Sequence, residues 1–126
     1  MPGNNMIEAL LDSNIIIGHA DGLGDELRID YGTCAISTLS VFEVLRYPGM
    51  PDSEERNLKD LIGLCEIVSV SEAIAKRGAI IARTRPTIRP IDTLIAATAI
   101  ELGIPLITKN VKDFKNIPDL AIRTKL

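Results

Sequence analysis

The sequence predicts an α/β domain whose mainly parallel sheet is covered by helices on both faces. Three observations carry this. Short apolar runs suited to buried strands alternate with longer stretches of helical periodicity, the pattern of parallel strands joined by helical crossovers. Hydrophobic residues make up 46% of the chain and charged residues 25%, which supplies both a core and a solvated surface. The length of 126 residues suits one domain over residues 1–126, and neither a repeat nor a low-complexity stretch divides it.

Residues 7–11 form a short apolar run ending in Asp12-Ser13-Asn14, which reads as a buried strand with polar residues at its carboxyl end. Residues 34–36 make a second strand. Residues 39–46 carry apolar side chains at helical spacing until Pro48-Gly49 stops them. Residues 52–64 read as an amphipathic helix with its charge outward. Residues 66–70 alternate as a third strand does, and residues 71–85 form a helix that Pro86 must end. Pro90 opens a further helix to Gly103, with Ile91, Leu94, Ile95, Thr98 and Leu102 on one side. Residues 105–108 are a fourth strand, residues 109–116 a polar loop and residues 121–124 a fifth strand. Ligands of such sheets bind beyond the carboxyl ends of the strands.

Several function classes are disfavoured. The apolar runs fall far short of the roughly 20 residues that span a bilayer, and residues 1–5 lack the basic and apolar regions of a secretory signal, so a cytoplasmic protein with no membrane contact is expected. Cys34 and Cys65 lack CxxC spacing and a histidine cluster, so they read as small hydrophobes rather than a zinc site or disulfide framework. With two Phe, two Tyr and no Trp, the chain offers little for stacking bases on rings. Gly22-Leu23-Gly24 lacks the third glycine of a dinucleotide-binding turn. A phosphate-accepting receiver domain needs an acid after its central strand, whereas Ser69-Val70-Ser71-Glu72 follows the third one here.

Charge is unevenly distributed. Residues 1–72 hold 13 acids and 4 bases, and residues 73–126 hold 4 acids and 10 bases. If the halves interleave, an acidic pocket bordered by a basic surface results, suited to a metal and a polyanion. Solvated faces of unequal charge are the plainer reading.

Four acids sit near strand ends: Asp12, Glu43, Asp92 and Asp113. Gathered at one mouth they would repel one another unless a divalent cation intervened, and Mg²⁺ or Mn²⁺ favours such oxygen ligands. Each acid also has a local explanation. Glu43 stands three residues after Ser40, a capping-box spacing; Asp92 would be favoured by a helix dipole; Asp12 suits an Asx turn; and Asp113 could simply be solvated. Arg85, Arg89, Lys109 and Lys112 flank the last two acids and could track a nucleic-acid backbone. His19 is the only histidine, which leaves no pair for general acid–base cleavage of RNA.

The stretches Leu10-Leu11-Asp12-Ser13-Asn14, Ser37-Thr38-Leu39-Ser40-Val41-Phe42-Glu43, Asp92-Thr93-Leu94-Ile95-Ala96-Ala97-Thr98-Ala99 and Leu106-Ile107-Thr108-Lys109-Asn110-Val111-Lys112-Asp113-Phe114 resemble the PIN-domain family, and within it the VapC-type toxins of toxin–antitoxin pairs. The resemblance implies a three-layer α/β/α fold and a Mg²⁺- or Mn²⁺-dependent ribonuclease; in-line attack by a metal-activated water would leave 5′-phosphate and 3′-hydroxyl ends. It also implies a homodimer and inhibition by a cognate antitoxin. By motif position, Asp12, Glu43 and Asp92 look like the three core acids. Asp113 is carried to the fourth place, for which Asn110 is the other candidate. Ser13, Asn14, Thr108 and Asn110 are implied as supporting residues. A PIN-like module that binds protein or RNA without cutting it is the competing reading.

Overall fold

The computed structural model describes residues 6–20 and 30–124. Residues 1–5 and Gly22-Leu23-Gly24 lie outside the described residues. The elements run β1 (Ala9–Leu11), α1 (Ser13–Gly18), a 3₁₀ turn (Tyr31–Thr33), β2 (Cys34–Ser37), α2 (Thr38–Leu45), α3 (Asp52–Leu64), β3 (Glu66–Val68), α4 (Glu72–Thr84), α5 (Pro90–Leu102), β4 (Leu106–Ile107), α6 (Val111–Phe114) and β5 (Ile122–Arg123). The five strands form one sheet in the order β3-β2-β1-β4-β5, every pairing parallel.

Period-two alternation divides the core. Ala9, Leu11, Cys34, Ile36 and Ile107 face one way and pack with Ile15 and Ile16 of α1, Val44 of α2, and Leu58 and Ile62 of α3. Leu10, Ala35 and Leu106 face the other way, against Ile74 and Ile81 of α4, Ile95, Ala96, Ala97 and Ala99 of α5, and Phe114 of α6. The result is the three-layer α/β/α arrangement. β1 is buried on both faces, as a strand between two helical layers must be. Gly78 of α4 lies against α5, where a β-carbon would stand 2.8 Å from Leu94 Cδ2 and require that side chain to shift.

Two short helices depart from the sequence reading. α1 begins directly after β1 because Asp12 caps it, accepting from Ser13 N, although Ile15-Ile16-Ile17 is a β-branched run of low helix propensity. The segment expected to be a polar loop over residues 109–116 holds α6, whose Phe114 is fully buried. The unequal charge is also distributed differently from the expected interleaving. The helices of the acidic half cover one face and those of the basic half cover the other. Both meet at the carboxyl edge of the sheet. Cys34 is buried, Cys65 half-buried, and both are free thiols.

Candidate active site

The strand order sends the chain outward from β1 through β2 to β3, then back to β4 on the other side of β1. The carboxyl ends of β1 and β4 therefore flank the crevice where such sheets take ligands. Asp12 follows β1 and Thr108 follows β4, and Asp12 N donates to Ile107 O at 3.0 Å. Glu43 reaches the same edge from the second turn of α2, and Asp92 from the first turn of α5. All three acids are nearly closed off from water: Asp12 is 4% exposed, Glu43 7% and Asp92 2%.

Neutral donors hold Asp12. Its Oδ1 accepts from Ser13 N at 2.9 Å, and its Oδ2 accepts from Thr108 Oγ1 at 2.7 Å and Asn14 Nδ2 at 3.1 Å. Ser13 then joins two acids, because its Oγ donates to Glu43 Oε1 at 3.2 Å. Burial pushes the Asp12 carboxyl above its ordinary range; the Thr108 and Ser13 hydrogen bonds pull it back, and the Asp92 and Glu43 charges raise it further. Those two charges place the three acids within electrostatic reach of one another.

Arg89 occupies the other side of the group. Its Nε and Nη2 form a fork on Asp92 Oδ2 and Oδ1 at 3.0 and 3.1 Å, and Nη2 also reaches Glu43 Oε2 at 3.3 Å. The Asp92 hydrogen bond and charge hold its guanidinium still more firmly protonated than usual; burial opposes them, and the Glu43 charge and hydrogen bond add smaller support. The sequence contained a signal for this contact, an arginine three residues before an acid at a helix start, but it was equally compatible with a backbone-tracking role.

Asp113 lies apart from the three acids. It is exposed on α6 and accepts from Asn110 Nδ2 at 2.8 Å, and Asn110 N donates to Thr108 Oγ1 at 2.9 Å. A chain of hydrogen bonds thus runs from Asp113 through Asn110 and Thr108 to Asp12. Asn14 Oδ1 accepts from Lys109 N at 3.1 Å and ties α1 to the same loop. Lys109 Nζ lies over Gly18, near the end of α1. Lys112 is exposed on α6. Arg85 Nη1 donates to Asn116 O at 3.0 Å and Lys115 O at 3.4 Å, so it straps the loop after α6.

The local alternatives resolve differently. Asp12 is both a cap and a member of the group. Ser37, not Ser40, caps α2, so Glu43 is not half of a capping box; its partners are Ser13 and Arg89. Ser40 Oγ is buried with no partner among the described residues. His19 is half-buried with Nδ1 2.5 Å from Tyr31 Oη.

Among the described residues, no three Asp, Glu, His or Cys side chains stand grouped as a ready set of metal ligands. The donors nonetheless fit a hard divalent cation in kind, since all are carboxylate oxygens, and Asp12, Glu43 and Asp92 are nearly closed off from water. Arg89 provides the positive charge in the arrangement seen here.

Residues 9–120 match the family model described as PIN domain. Ribonuclease VapC19 of Mycobacterium tuberculosis is 35% identical over 121 residues, covering 88% of this chain and 95% of its own. A Ribonuclease VapC of Rickettsia bellii is 52% identical over 42 residues, which span 33% of this chain and 31% of that protein. Of solved structures, a toxin–antitoxin complex from Klebsiella pneumoniae aligns with a TM-score of 0.72 and 27% identity, over 90% of this chain and 96% of that one. VapBC2 from Rickettsia felis, bound to a DNA fragment from their promoter, has the same fold, with a TM-score of 0.77 and 24% identity over 91% and 96%. The chain belongs to the PIN-domain family and, within it, to the VapC-type proteins.

Proposed function

We propose that this chain is a metal-dependent endoribonuclease, the toxin of a VapBC-type pair, acting in the cytoplasm as a homodimer restrained by a cognate antitoxin. The observation that carries the reading is the meeting of three buried acids from distant parts of the chain at the carboxyl edge of a parallel sheet. Relatives named Ribonuclease VapC support it.

Asp12, Asp92 and Asp113 are the residues that would hold Mg²⁺ or Mn²⁺. When bound, the ion supplies Lewis acidity for phosphodiester hydrolysis and offsets the acids' repulsion. Ser13, Asn14 and Thr108 fix the two oxygens of Asp12, so its orientation is set before any ligand arrives. Glu43, held by Ser13 at Oε1, takes the proton of the attacking water at Oε2. Lys109 and Lys112 on the adjoining loop and α6, with Arg85 and Arg89, favour approach of a polyanion.

The test is cleavage of total RNA by purified protein with Mn²⁺ or with EDTA, followed by mapping of the new ends. Cleavage with Mn²⁺ that leaves 5′-phosphates, and is lost in EDTA and in Asp12→Asn and Asp92→Asn, is expected. Variants as active as wild type would refute the site. RNA bound but never cut would favour a silent binding module.

A further inference from the structure

All six carboxylate oxygens of Asp12, Glu43 and Asp92 accept a hydrogen bond from the chain itself. Ser13, Asn14 and Thr108 serve three of them with neutral donors. Arg89 serves the other three, both oxygens of Asp92 and Oε2 of Glu43. Among the described residues it is the only charged side chain hydrogen-bonded to these acids. A guanidinium fork matches a carboxylate well, and buried carboxylates need a counter-charge. The Arg89 side chain is itself 60% exposed, while those of Glu43 and Asp92 are 9% and 3% exposed. The cation that covers these oxygens can therefore move into water without unpacking the core.

We propose that Arg89 is the internal counter-ion of the metal-free site, displaced from Asp92 and Glu43 when a divalent cation binds. The inference rests on the metal-binding reading above and deepens it. Affinity for the ion is then set by an exchange of positive charges and not by the carboxylates alone. Removing Arg89 leaves the metal-free acids to repel one another and frees them for the incoming ion.

Calorimetric titration of Mn²⁺ into wild type, Arg89→Gln and Arg89→Lys, without RNA, tests this. Arg89→Gln is expected to bind Mn²⁺ about tenfold more tightly, as loss of one nearby opposite charge implies, and to melt at a lower temperature when metal-free. Arg89→Lys, which keeps the charge and loses the fork, should fall between. A folded Arg89→Gln that binds no more tightly than wild type overturns the proposal and leaves the metal site standing; no Mn²⁺ binding by any form overturns both. If Arg89→Gln does not fold without metal, wild type decides by NMR. The Arg89 Nε–H signal should lose its protection from solvent exchange as Mg²⁺ is added, and protection that persists at saturation overturns the proposal.

Discussion

Thr108→Val tests whether one hydroxyl organises the site. Thr108 is fully buried, and its Oγ1 donates to Asp12 Oδ2 at 2.7 Å while accepting from Asn110 N at 2.9 Å. Valine keeps the shape and deletes both bonds, together with the longer one that Thr108 Oγ1 accepts from Asn14 Nδ2 at 3.4 Å. A hydrogen bond to a charged partner contributes about 1.5–3 kcal/mol. The Asn110 amide, on a half-buried residue, adds about 1 kcal/mol at the low end of the range for an orphaned donor. The expected loss at pH 7 is about 3 kcal/mol, read by urea denaturation. Thr108→Ser, which keeps the hydroxyl and loses one methyl, should cost about 1 kcal/mol. Thr98→Val serves as a control, since Thr98 is equally buried but its hydroxyl donates only to Leu94 O within α5, and it should cost less than about 1 kcal/mol.

The loss should also depend on pH. Because burial raises Asp12 above 3.8 in the folded state, its ionisation works against folding as pH climbs from 3.8 through the folded value. The Thr108 hydroxyl opposes that rise, so its removal pushes the carboxyl higher. The difference between wild type and Thr108→Val is then largest where Asp12 is ionised, and it shrinks as pH falls toward 3.8 and below. A loss no greater than that of Thr98→Val, or one that stays constant with pH, would refute the reasoning.

Ser40→Ala removes a buried hydroxyl with no partner and should leave thermal stability unchanged or raise it by up to about 1 kcal/mol; a clear loss would mean that the hydroxyl has a role. Burial pushes the thiols of Cys34 and Cys65 up to about 11 and about 12, so neither should react with a disulfide reagent at pH 8 until the chain is unfolded. Rapid native labelling contradicts this. Asp113→Asn should leave stability within about 0.5 kcal/mol, because the residue is exposed, yet reduce cleavage by about 10-fold or more as a ligand or outer partner. Full activity would transfer the fourth place to Asn110.

Periodicity located the long elements well. The amphipathic pattern over residues 52–64 coincides with α3, and Pro90 opens α5 where its fixed φ favours a first turn. Except for β2, which runs one residue past its expected end to Ser37, the strands emerged shorter than the runs that marked them, β4 being two residues long, because pairing and not hydrophobicity sets their ends. α1 was hidden by its three isoleucines, since tertiary packing and the Asp12 cap outweigh their propensity. α6 was hidden by lysines around a single buried Phe114. Of the site, Asp12, Glu43 and Asp92 were visible as acids near strand ends. The Arg89 fork was not, because an i,i+3 pair near a proline does not reveal which carboxylate the guanidinium will also reach across the sheet edge.

The position of β4 has a consequence for synthesis. Residues of β1, β2 and β3 leave the ribosome well before Leu106, yet the outer amides of β1 at Leu10 and Asp12 find their acceptors only on Pro105 and Ile107. A nascent chain ending short of that point carries an open apolar edge where Ala9–Leu11 should be central, and its Asp12 lacks the Thr108 donor. Assembly of the acids therefore waits until β4 and Thr108 have been made, and a chain that stops before them should expose an unpaired strand edge open to association.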